Sequence, residues 1–179
     1  MFFINPFIYA AGADFESIAT VTVGSGGATE INFADIPQTY QHLQLRKIDL
    51  WNATSGSTFV QFNGATSTYA YHNLGGNGAS AAASAASGTS GINLDAWYVG
   101  HSSTHPNVAI VDILDYASTT KATTVRSFSG IDKNGSGEVN IGSGLWTSTS
   151  AVTAMKLYSN TSATFNQYTT FALYGIKAP

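Results

Sequence analysis

Short runs of residues with strand propensity recur along this chain and constrain its fold more than any other feature. The runs are rich in Val, Ile, Thr, Tyr and Phe, and clusters of Gly, Asn and Ser separate them, as is typical of β-strands joined by tight turns. Few windows after residue 15 show the apolar spacing of an amphipathic helix. About ten or eleven runs follow at roughly the 8–12-residue spacing of sandwiches and barrels. The sequence therefore predicts an all-β protein, a jelly-roll-like antiparallel β-sandwich.

Two stretches give local expectations for the connections between strands. Residues 17–23 and residues 29–33 both alternate between apolar and polar residues and flank a glycine-rich segment. This pattern predicts a hairpin with a glycine turn, because glycine adopts positive φ at little cost. Residues 75–90 are a low-complexity segment of Gly, Ala and Ser, broken by a single Asn and Thr. Ser and Gly dilute its helix propensity, so we expect a long surface loop there.

The strand expected over residues 42–51 contains a change of face. Its apolar residues share one face as far as Leu45, and from Ile48 onward they occupy the other. Successive side chains of a strand point to opposite faces, so a slip of one residue in the pattern indicates a β-bulge. We therefore predict a bulge near Arg46 and Lys47.

The first 14 residues form a predicted N-terminal arm, and residues 15–179 form the sandwich domain. The segment lacks the basic start and unbroken apolar stretch of a signal peptide, since Asn5 and Pro6 interrupt it. One interpretation is a flap that covers the core of its own domain. The other is an arm that docks on a neighbouring subunit, because large apolar residues are a liability in water. The residues of this candidate partner interface are Phe2, Phe3, Ile4, Pro6, Phe7 and Ile8.

The composition excludes several classes of protein. Lys and Arg total 7, scattered along a chain with a net charge of −3, so there is no basic stripe for nucleic acid. No apolar run reaches the length of a membrane-spanning helix. The chain has no Cys, which removes disulfides, thiolate zinc sites and cysteine nucleophiles. We therefore expect neither nucleic acid nor a membrane as a partner.

Two patterns resemble metal sites and are better explained otherwise. His101 and His105 have the spacing of a helical ligand pair, but Pro106 and a Ser/Thr run favour a surface loop. Residues 132–137 carry oxygen-bearing side chains and a glycine in the order of a calcium loop, yet Ser143 stands where that pattern needs Glu. A hairpin turn explains that segment, and we expect no metal or cofactor.

The tryptophans are the remaining candidates for a ligand patch. Trp51, Trp97 and Trp146 each lie at or near the end of an expected strand. Large indoles in a small domain usually pack in the core, whereas an exposed indole stacks well on a sugar ring. Of the three, Trp97 is the candidate for such a patch.

No arrangement of residues points to an enzyme. Asp112 and Asp115 are the closest interior carboxylates, but three residues apart across a strand end they need not share a face. There is no Gly-x-Ser-x-Gly elbow between a strand and a helix, and no phosphate-binding glycine motif. We expect no catalytic activity.

Several stretches resemble a known family. They are residues 15–24, 36–46, 113–121, 142–146 and 171–177. In this order they are similar to a widespread family of small virion proteins of tailed bacteriophages, including cyanophages. The resemblance runs from about residue 15 to residue 177, and residues 4–7 also look like the start of such proteins. Its motifs are specific to the family and not to a reaction, so the resemblance implies a structural role on the particle and no site residues.

The resemblance leaves two roles open. The first is a capsid decoration, or cement, protein that clamps neighbouring subunits, with the major capsid protein or another virion protein as its partner. The second is a tail, baseplate or fibre component that binds glycans of the host surface. A homo-oligomer, for which we expect a trimer, would cover the sheet edges that a lone sandwich leaves open.

Overall fold

The computed structural model describes residues 14–95, 100–161 and 163–177. These residues form twelve β-strands and no helix, so none of them belongs to a helix that could cross a membrane. The strands are β1 (Phe15–Thr22), β2 (Glu30–Phe33), β3 (His42–Asp49), β4 (Thr58–Phe62), β5 (Tyr69–Gly76), β6 (Ala81–Thr89), β7 (Ile92–Asn93), β8 (Asn107–Leu114), β9 (Thr123–Asp132), β10 (Gly137–Trp146), β11 (Met155–Ser159) and β12 (Thr170–Ile176).

The strands build two antiparallel sheets packed face to face. The large sheet has the order β1-β12-β3-β8-β9-β10-β5-β6, and the small sheet has the order β2-β11-β4-β7. The chain passes repeatedly from one sheet to the other, and the hydrophobic core lies between them. The expectation of an all-β antiparallel sandwich is confirmed.

The predicted hairpin between residues 17–23 and 29–33 is wrong. β1 pairs with β12 at one edge of the large sheet, whereas β2 pairs with β11 in the small sheet. The glycine-rich segment between them therefore crosses between the sheets and does not reverse the chain within one. Gly27 takes a φ of 69° there, and Ala28 and Phe165 exchange backbone hydrogen bonds.

The segment 75–90 is not a long loop. Residues up to Gly76 belong to β5, and Ala81–Thr89 form the edge strand β6, paired with β5 along its length. Its turn is closed by the Asn77 side chain, whose Oδ1 accepts hydrogen bonds from the backbone of Ala79 and Ser80. Backbone pairing needs no large side chains, so small residues suffice in a strand whose outer edge packs against nothing in the described part of the chain.

β3 also differs from expectation, since it contains no bulge. Its register against β12 and β8 is continuous from end to end. The alternation that buries Leu45 simply continues, so Lys47 and Asp49 point into the core while Ile48 lies outside, 53% exposed. Apolar and charged residues have exchanged their usual faces here.

The connection between β9 and β10 is a tight hairpin, as predicted for residues 132–137. Asn134 and Gly135 both have positive φ, at 56° and 112°, which is the geometry that Asn-Gly turns favour. The Asp132 carboxylate accepts a hydrogen bond from the Asn134 backbone at 2.9 Å. The turn thus accounts for the oxygen-bearing side chains without a metal.

The predicted arm lies almost wholly outside the described residues. Of its 14 residues only Asp14 is described, and its carbonyl accepts a hydrogen bond from the Lys177 backbone at 2.9 Å. β1 begins at Phe15, and the division of the chain into arm and domain stays a prediction.

Candidate functional site

The outer face of the large sheet carries a continuous band of exposed apolar side chains. We call this band the apolar belt. Each member is between 45% and 59% exposed, and each projects away from the small sheet. The members of the belt are Ile48, Leu74, Val108, Ile110, Phe128, Val139 and Ile141.

Strand register sets these side chains in two rows across the sheet. In the first row, Ile110 of β8 faces Phe128 of β9, which faces Ile141 of β10, which faces Leu74 of β5. Directly facing residues of neighbouring strands lie within side-chain contact. A groove of about 450 Å³ follows the belt where β3, β8, β9 and β10 meet. Together the seven residues expose on the order of 500 Å², towards the upper end for monomers.

The inner face of the same strands is unusually polar. Ser127 and Ser129 flank Phe128 on β9 and are buried, and so are Asn140 beside Ile141 and Asn73 beside Leu74. Neither polar atom of the Asn140 side chain has a hydrogen-bond partner among the described residues. At these positions the large apolar side chains lie outside and the small polar ones inside, whereas the same strands bury Tyr69, Val125, Ile131 and Trp146.

This inversion has a thermodynamic meaning. A slip of one residue in register would move every side chain to the opposite face, taking Phe128 into the core and Ser129 into water. The chain does not adopt that register, because both neighbours of β9 pair with it continuously. An arrangement that exposes its large apolar residues is favourable when another surface covers them.

Polar pairs border the belt on the outer face. Gln44 donates a hydrogen bond to Asp112 at 2.8 Å, and Arg126 donates one to Ser143 at 2.9 Å. At the β3 end, the Arg46 guanidinium lies over the rings of Phe15 and Tyr174, at 5.0 and 5.1 Å from their centroids. The belt thus has the apolar centre and polar rim that are typical of protein interfaces.

A second unusual group lies inside the sandwich, beneath β3. The Lys47 ammonium is buried and contacts two carboxylates: it lies 2.9 Å from both oxygens of Asp49 and 2.8 Å from Asp95 Oδ1. It also donates to Thr58 Oγ1 at 3.1 Å. Lys47 and Asp49 come from β3 of the large sheet, whereas Thr58 begins β4 and Asp95 follows β7 in the small sheet. The group therefore joins the two sheets.

Neighbouring side chains hold the two carboxylates in place. Trp51 donates its indole N–H to Asp49 Oδ2 at 2.6 Å, and the Thr58 backbone donates to Asp95 Oδ2 at 2.8 Å. The His101 ring stacks on Trp51 with centroids 3.8 Å apart, and its Nε2 is 3.6 Å from Asp95 Oδ2. Both nitrogens of His101 lack a hydrogen-bond partner among the described residues.

Burial and mutual attraction decide the protonation of this group. Burial by itself would lower the pKa of Lys47, but the charges of Asp49 and then Asp95 outweigh it, so the pKa is raised. Burial would raise the pKa of Asp95, and the charges of Lys47 and His101 reverse this and lower it. For His101 burial dominates and lowers the pKa despite the nearby Asp95. At neutral pH Lys47 is therefore an ammonium, Asp95 a carboxylate and His101 a neutral imidazole.

Three of these residues have the donor types of a metal site. One ligand atom from each of Asp49, Asp95 and His101 lies within 4.8 Å of the others. However, the Lys47 ammonium contacts both carboxylates, so a cation of the protein itself already provides their counter-charge. The arrangement fits a fixed ion-pair network better than a metal centre.

The structure separates most of the residues that the sequence singles out. His101 is buried in the network and not on a surface loop, so that expectation is wrong, and His105 instead contacts Ser102 and Thr104 near the surface. Asp112 and Asp115 do not form one site, since Asp112 pairs with Gln44 and Asp115 pairs with Lys121.

The tryptophan expectations have mixed outcomes. Trp51 and Trp146 are buried, 0% and 3% exposed, so packing in the core is confirmed for both. Trp97 lies outside the described residues, as do Phe2, Phe3, Ile4, Pro6, Phe7 and Ile8 of the arm. The proposals that concern them stay predictions.

Comparison with known proteins gives no family for the chain. No family model matches it, and no curated protein matches it either. Among solved structures it is similar to a protein of unknown function from Shewanella oneidensis MR-1, at 8% sequence identity, with 93% of this chain and 77% of that chain covered and a TM-score of 0.22. A similarity at that level supports no argument about the function, which must come from the residues themselves.

Proposed function

We propose that this chain is a non-enzymatic structural protein of a phage particle, most simply a capsid decoration protein that assembles into a homo-oligomer and clamps capsid subunits. The apolar belt is the observation that supports association, because it exposes seven large apolar side chains on one face of the large sheet. The resemblance to small virion proteins is our reason for proposing a phage particle as the assembly and the major capsid protein as the partner. The proposal includes a location on the capsid surface.

The energetics of the belt indicate that its partner must bring contacts of its own. Full burial of a large apolar side chain contributes about 1.5–3 kcal/mol, so covering seven half-exposed ones contributes roughly 5–10 kcal/mol. Association costs about 4–15 kcal/mol in lost freedom. The belt alone therefore supports only a weak complex, and an apolar occupant that makes further contacts adds the missing burial.

The occupant we propose is the N-terminal segment 1–13 of a neighbouring copy. This segment has five large apolar residues among its first eight and no charged side chain. The belt likewise consists of uncharged apolar side chains, so the two surfaces are compatible. Its apolar part, residues 2–8, extends to about 23–25 Å, and the belt is about 19 Å wide over four strand spacings. The backbone carbonyl of Asp14, the residue that follows this segment, accepts a hydrogen bond from the backbone of Lys177 at the edge of the large sheet.

Light scattering on the purified chain tests the association. We expect a trimer at micromolar concentration, and we expect Phe128→Thr and deletion of residues 1–13 each to shift the population to monomer. Thr124→Ser, on the outer face of the same strand but outside the belt, is the matched control and should leave the oligomer intact. A stable wild-type monomer would contradict the assembly that we propose.

Immunogold labelling of purified particles tests the location. Gold spread over the head is the result expected of a decoration protein. Gold confined to the tail or its tip would replace that role with the tail or fibre role and would make Trp97 the first residue to test in a glycan screen. Particles without gold would contradict both roles.

A further inference from the structure

The buried group around Lys47 contains the parts of a bond-forming site. An amine and a carboxyl group are in contact, since Lys47 Nζ lies 2.8 Å from Asp95 Oδ1. A second carboxylate, Asp49, accepts from the same nitrogen through both of its oxygens at 2.9 Å. The side chains of Lys47, Asp49 and Asp95 are 0–1% exposed, so bulk water does not reach the reacting atoms.

We propose that Lys47 and Asp95 condense to form an intramolecular isopeptide bond, with Asp49 as the acid–base group. The inference goes beyond the proposed function and does not depend on it. The new amide joins Nζ of Lys47 to Cγ of Asp95 and cross-links the two sheets. The reaction converts one ammonium and one carboxylate into one amide and one water, and no oxidant or reductant takes part.

The contacts provide a route for each proton. The first proton passes directly from Nζ to Asp95 Oδ1 across their 2.8 Å contact, which leaves a neutral amine beside a neutral acid. The amine attacks Cγ of Asp95, and Asp49 accepts the second proton from Nζ as the C–N bond forms. Asp49 then returns that proton to Oδ1, which leaves as water. Asp49 is thus unchanged at the end, as a general acid–base catalyst must be.

The two oxygens of Asp95 have different environments that suit these roles. Oδ2 accepts a hydrogen bond from the Thr58 backbone at 2.8 Å, so this donor stabilises the charge on the oxygen in the tetrahedral intermediate and then binds the amide carbonyl. Oδ1 faces Lys47 and is the oxygen that departs. Trp51 holds Asp49 through its indole N–H at 2.6 Å, which fixes the base beside the nucleophile.

Burial favours both the rate and the equilibrium of this condensation. Holding the two groups in contact replaces an encounter in solution, which is worth an effective concentration of about 10⁵–10⁸ M in well-oriented cases. Exclusion of water removes the reactant that would hydrolyse the amide. Product formation also removes one ammonium and one carboxylate from the interior, and the Asp49 carboxylate that remains keeps the hydrogen bonds from the Trp51 indole and the Thr58 hydroxyl.

Exposed ion pairs of the same chain supply an internal comparison. Lys121 contacts Asp115 with the lysine side chain 63% exposed, and Lys177 contacts Glu16 with both side chains about one-third exposed. Neither pair is buried as the Lys47 group is, although the charge of Asp14 also acts on Lys177. These pairs should remain ionic. They therefore test whether contact between a lysine and a carboxylate is sufficient for condensation or whether the complete arrangement around Lys47 is needed.

Mass spectrometry of the folded, then denatured, chain tests the proposal. The wild-type chain should be lighter than its sequence by one water, trypsin should not cleave after residue 47, and a branched peptide should join Lys47 to Asp95. Lys121→Arg is the matched control and should retain the loss of water. A wild-type chain with its full sequence mass, or a loss of water that maps to any other pair, would overturn the proposal whether or not the variants fold.

Three variants assign the roles. Lys47→Arg keeps the positive charge without an amine nucleophile and should show its full mass. Asp49→Asn keeps the shape of the acid–base group and should also show its full mass, or react far more slowly. Asp95→Asn keeps the carbonyl but carries a different leaving group, so it should become lighter by one ammonia instead of one water. Loss of water from the Asp49→Asn chain at the wild-type rate would refute the role of Asp49.

Discussion

Replacing Lys47 by Met tests the energetics of the buried network. Met has a similar length but no charge, so Asp49 and Asp95 would lose the ammonium that contacts both of them. Removing one partner of a buried ion pair costs about 3–5 kcal/mol, because an uncompensated charge remains in the interior. Typical domains have only about 5–15 kcal/mol of stability in total, so we expect Lys47→Met to lose a large part of it.

The structure also gives the size of the additional loss if the isopeptide bond has formed. The cross-link closes a loop of about 48 residues, which by the chain-entropy relation for cross-links contributes about 4 kcal/mol. In a cross-linked chain Lys47→Met then has two costs: first, Asp95 becomes a buried carboxylate without the ammonium in place of an amide, and second, the cross-link is lost. Asp49→Asn blocks the condensation but keeps the ion pair of Lys47 and Asp95. Its loss of stability therefore measures the contribution of the cross-link in a chain that lacks the Asp49 charge.

Calorimetry and urea denaturation of Lys47→Met provide the measurement. A loss of 3–5 kcal/mol corresponds to a fall in Tm of about 6–20 °C for a domain of this size. Thr124→Ser is the matched control, since Thr124 lies on the outer face of the large sheet but outside the belt, and the substitution should change stability by no more than about 0.5 kcal/mol. If Lys47→Met were within 1 kcal/mol of the wild type, Lys47 would not be compensating the two carboxylates, and the account of the interior would be wrong.

Three further predictions concern acid sensitivity, packing and the N-terminal segment. The folded chain holds the pKa of His101 below its unfolded value of about 6.5, so the unfolded chain binds more protons below that pH. The free energy of unfolding therefore falls on acidification by up to about 1.4 kcal/mol per pH unit. In denaturation series between pH 7 and pH 5, His101→Gln should reduce the dependence of the free energy of unfolding on pH. Gly144→Ala should lower the free energy of unfolding by about 1–3 kcal/mol in thermal denaturation, because the new Cβ would lie 2.3 Å from Ile92. Gly24→Ala should leave the free energy of unfolding nearly unchanged, because no atom lies within 4 Å of its new Cβ. Deleting residues 1–10 should weaken assembly in light scattering and lower Tm by less than about 8 °C; a much larger fall would make the segment part of the core.

The sequence predicted the fold class well because strand signals are local. Alternation and turn residues revealed most strands, including the turn at Asn134 and Gly135. Pairing was predicted poorly, because it depends on residues far apart in the chain: β1 pairs with β12 and not with β2. β6 was missed because Ala and Ser carry no alternation, and its strand exists through backbone hydrogen bonds with β5.

The candidate sites show the same division between local and distant information. Period-two alternation from Leu43 through Leu45 already places Lys47 and Asp49 on the buried face, and this was the signal that could have found them. Their charges argued against burial, and the partner that makes burial tolerable, Asp95, lies 48 positions further along the chain. No local pattern contains such a partner.

The apolar belt could also have been predicted from the sequence. In β8 the inward residues Ala109 and Val111 alternate with the outward residues Val108 and Ile110, so both faces of the strand are apolar. Continuous apolar strands are typical of sheets that are covered on both faces. The small sheet covers one face of β8, and we propose that a partner covers the second apolar face.

The belt and the buried network are adjacent on β3, and this adjacency links the two proposals. Ile48 belongs to the belt, and its neighbour Lys47 contacts Asp95 beside the small sheet. A force that a docked subunit exerts on the belt would therefore be transmitted along the backbone from Ile48 to Lys47 and then to the small sheet through the contact of Lys47 with Asp95. In a chain without Cys, an amide at that contact is the covalent link available to keep the two sheets together under load. We propose that such a link contributes most at β3, the strand that carries both features.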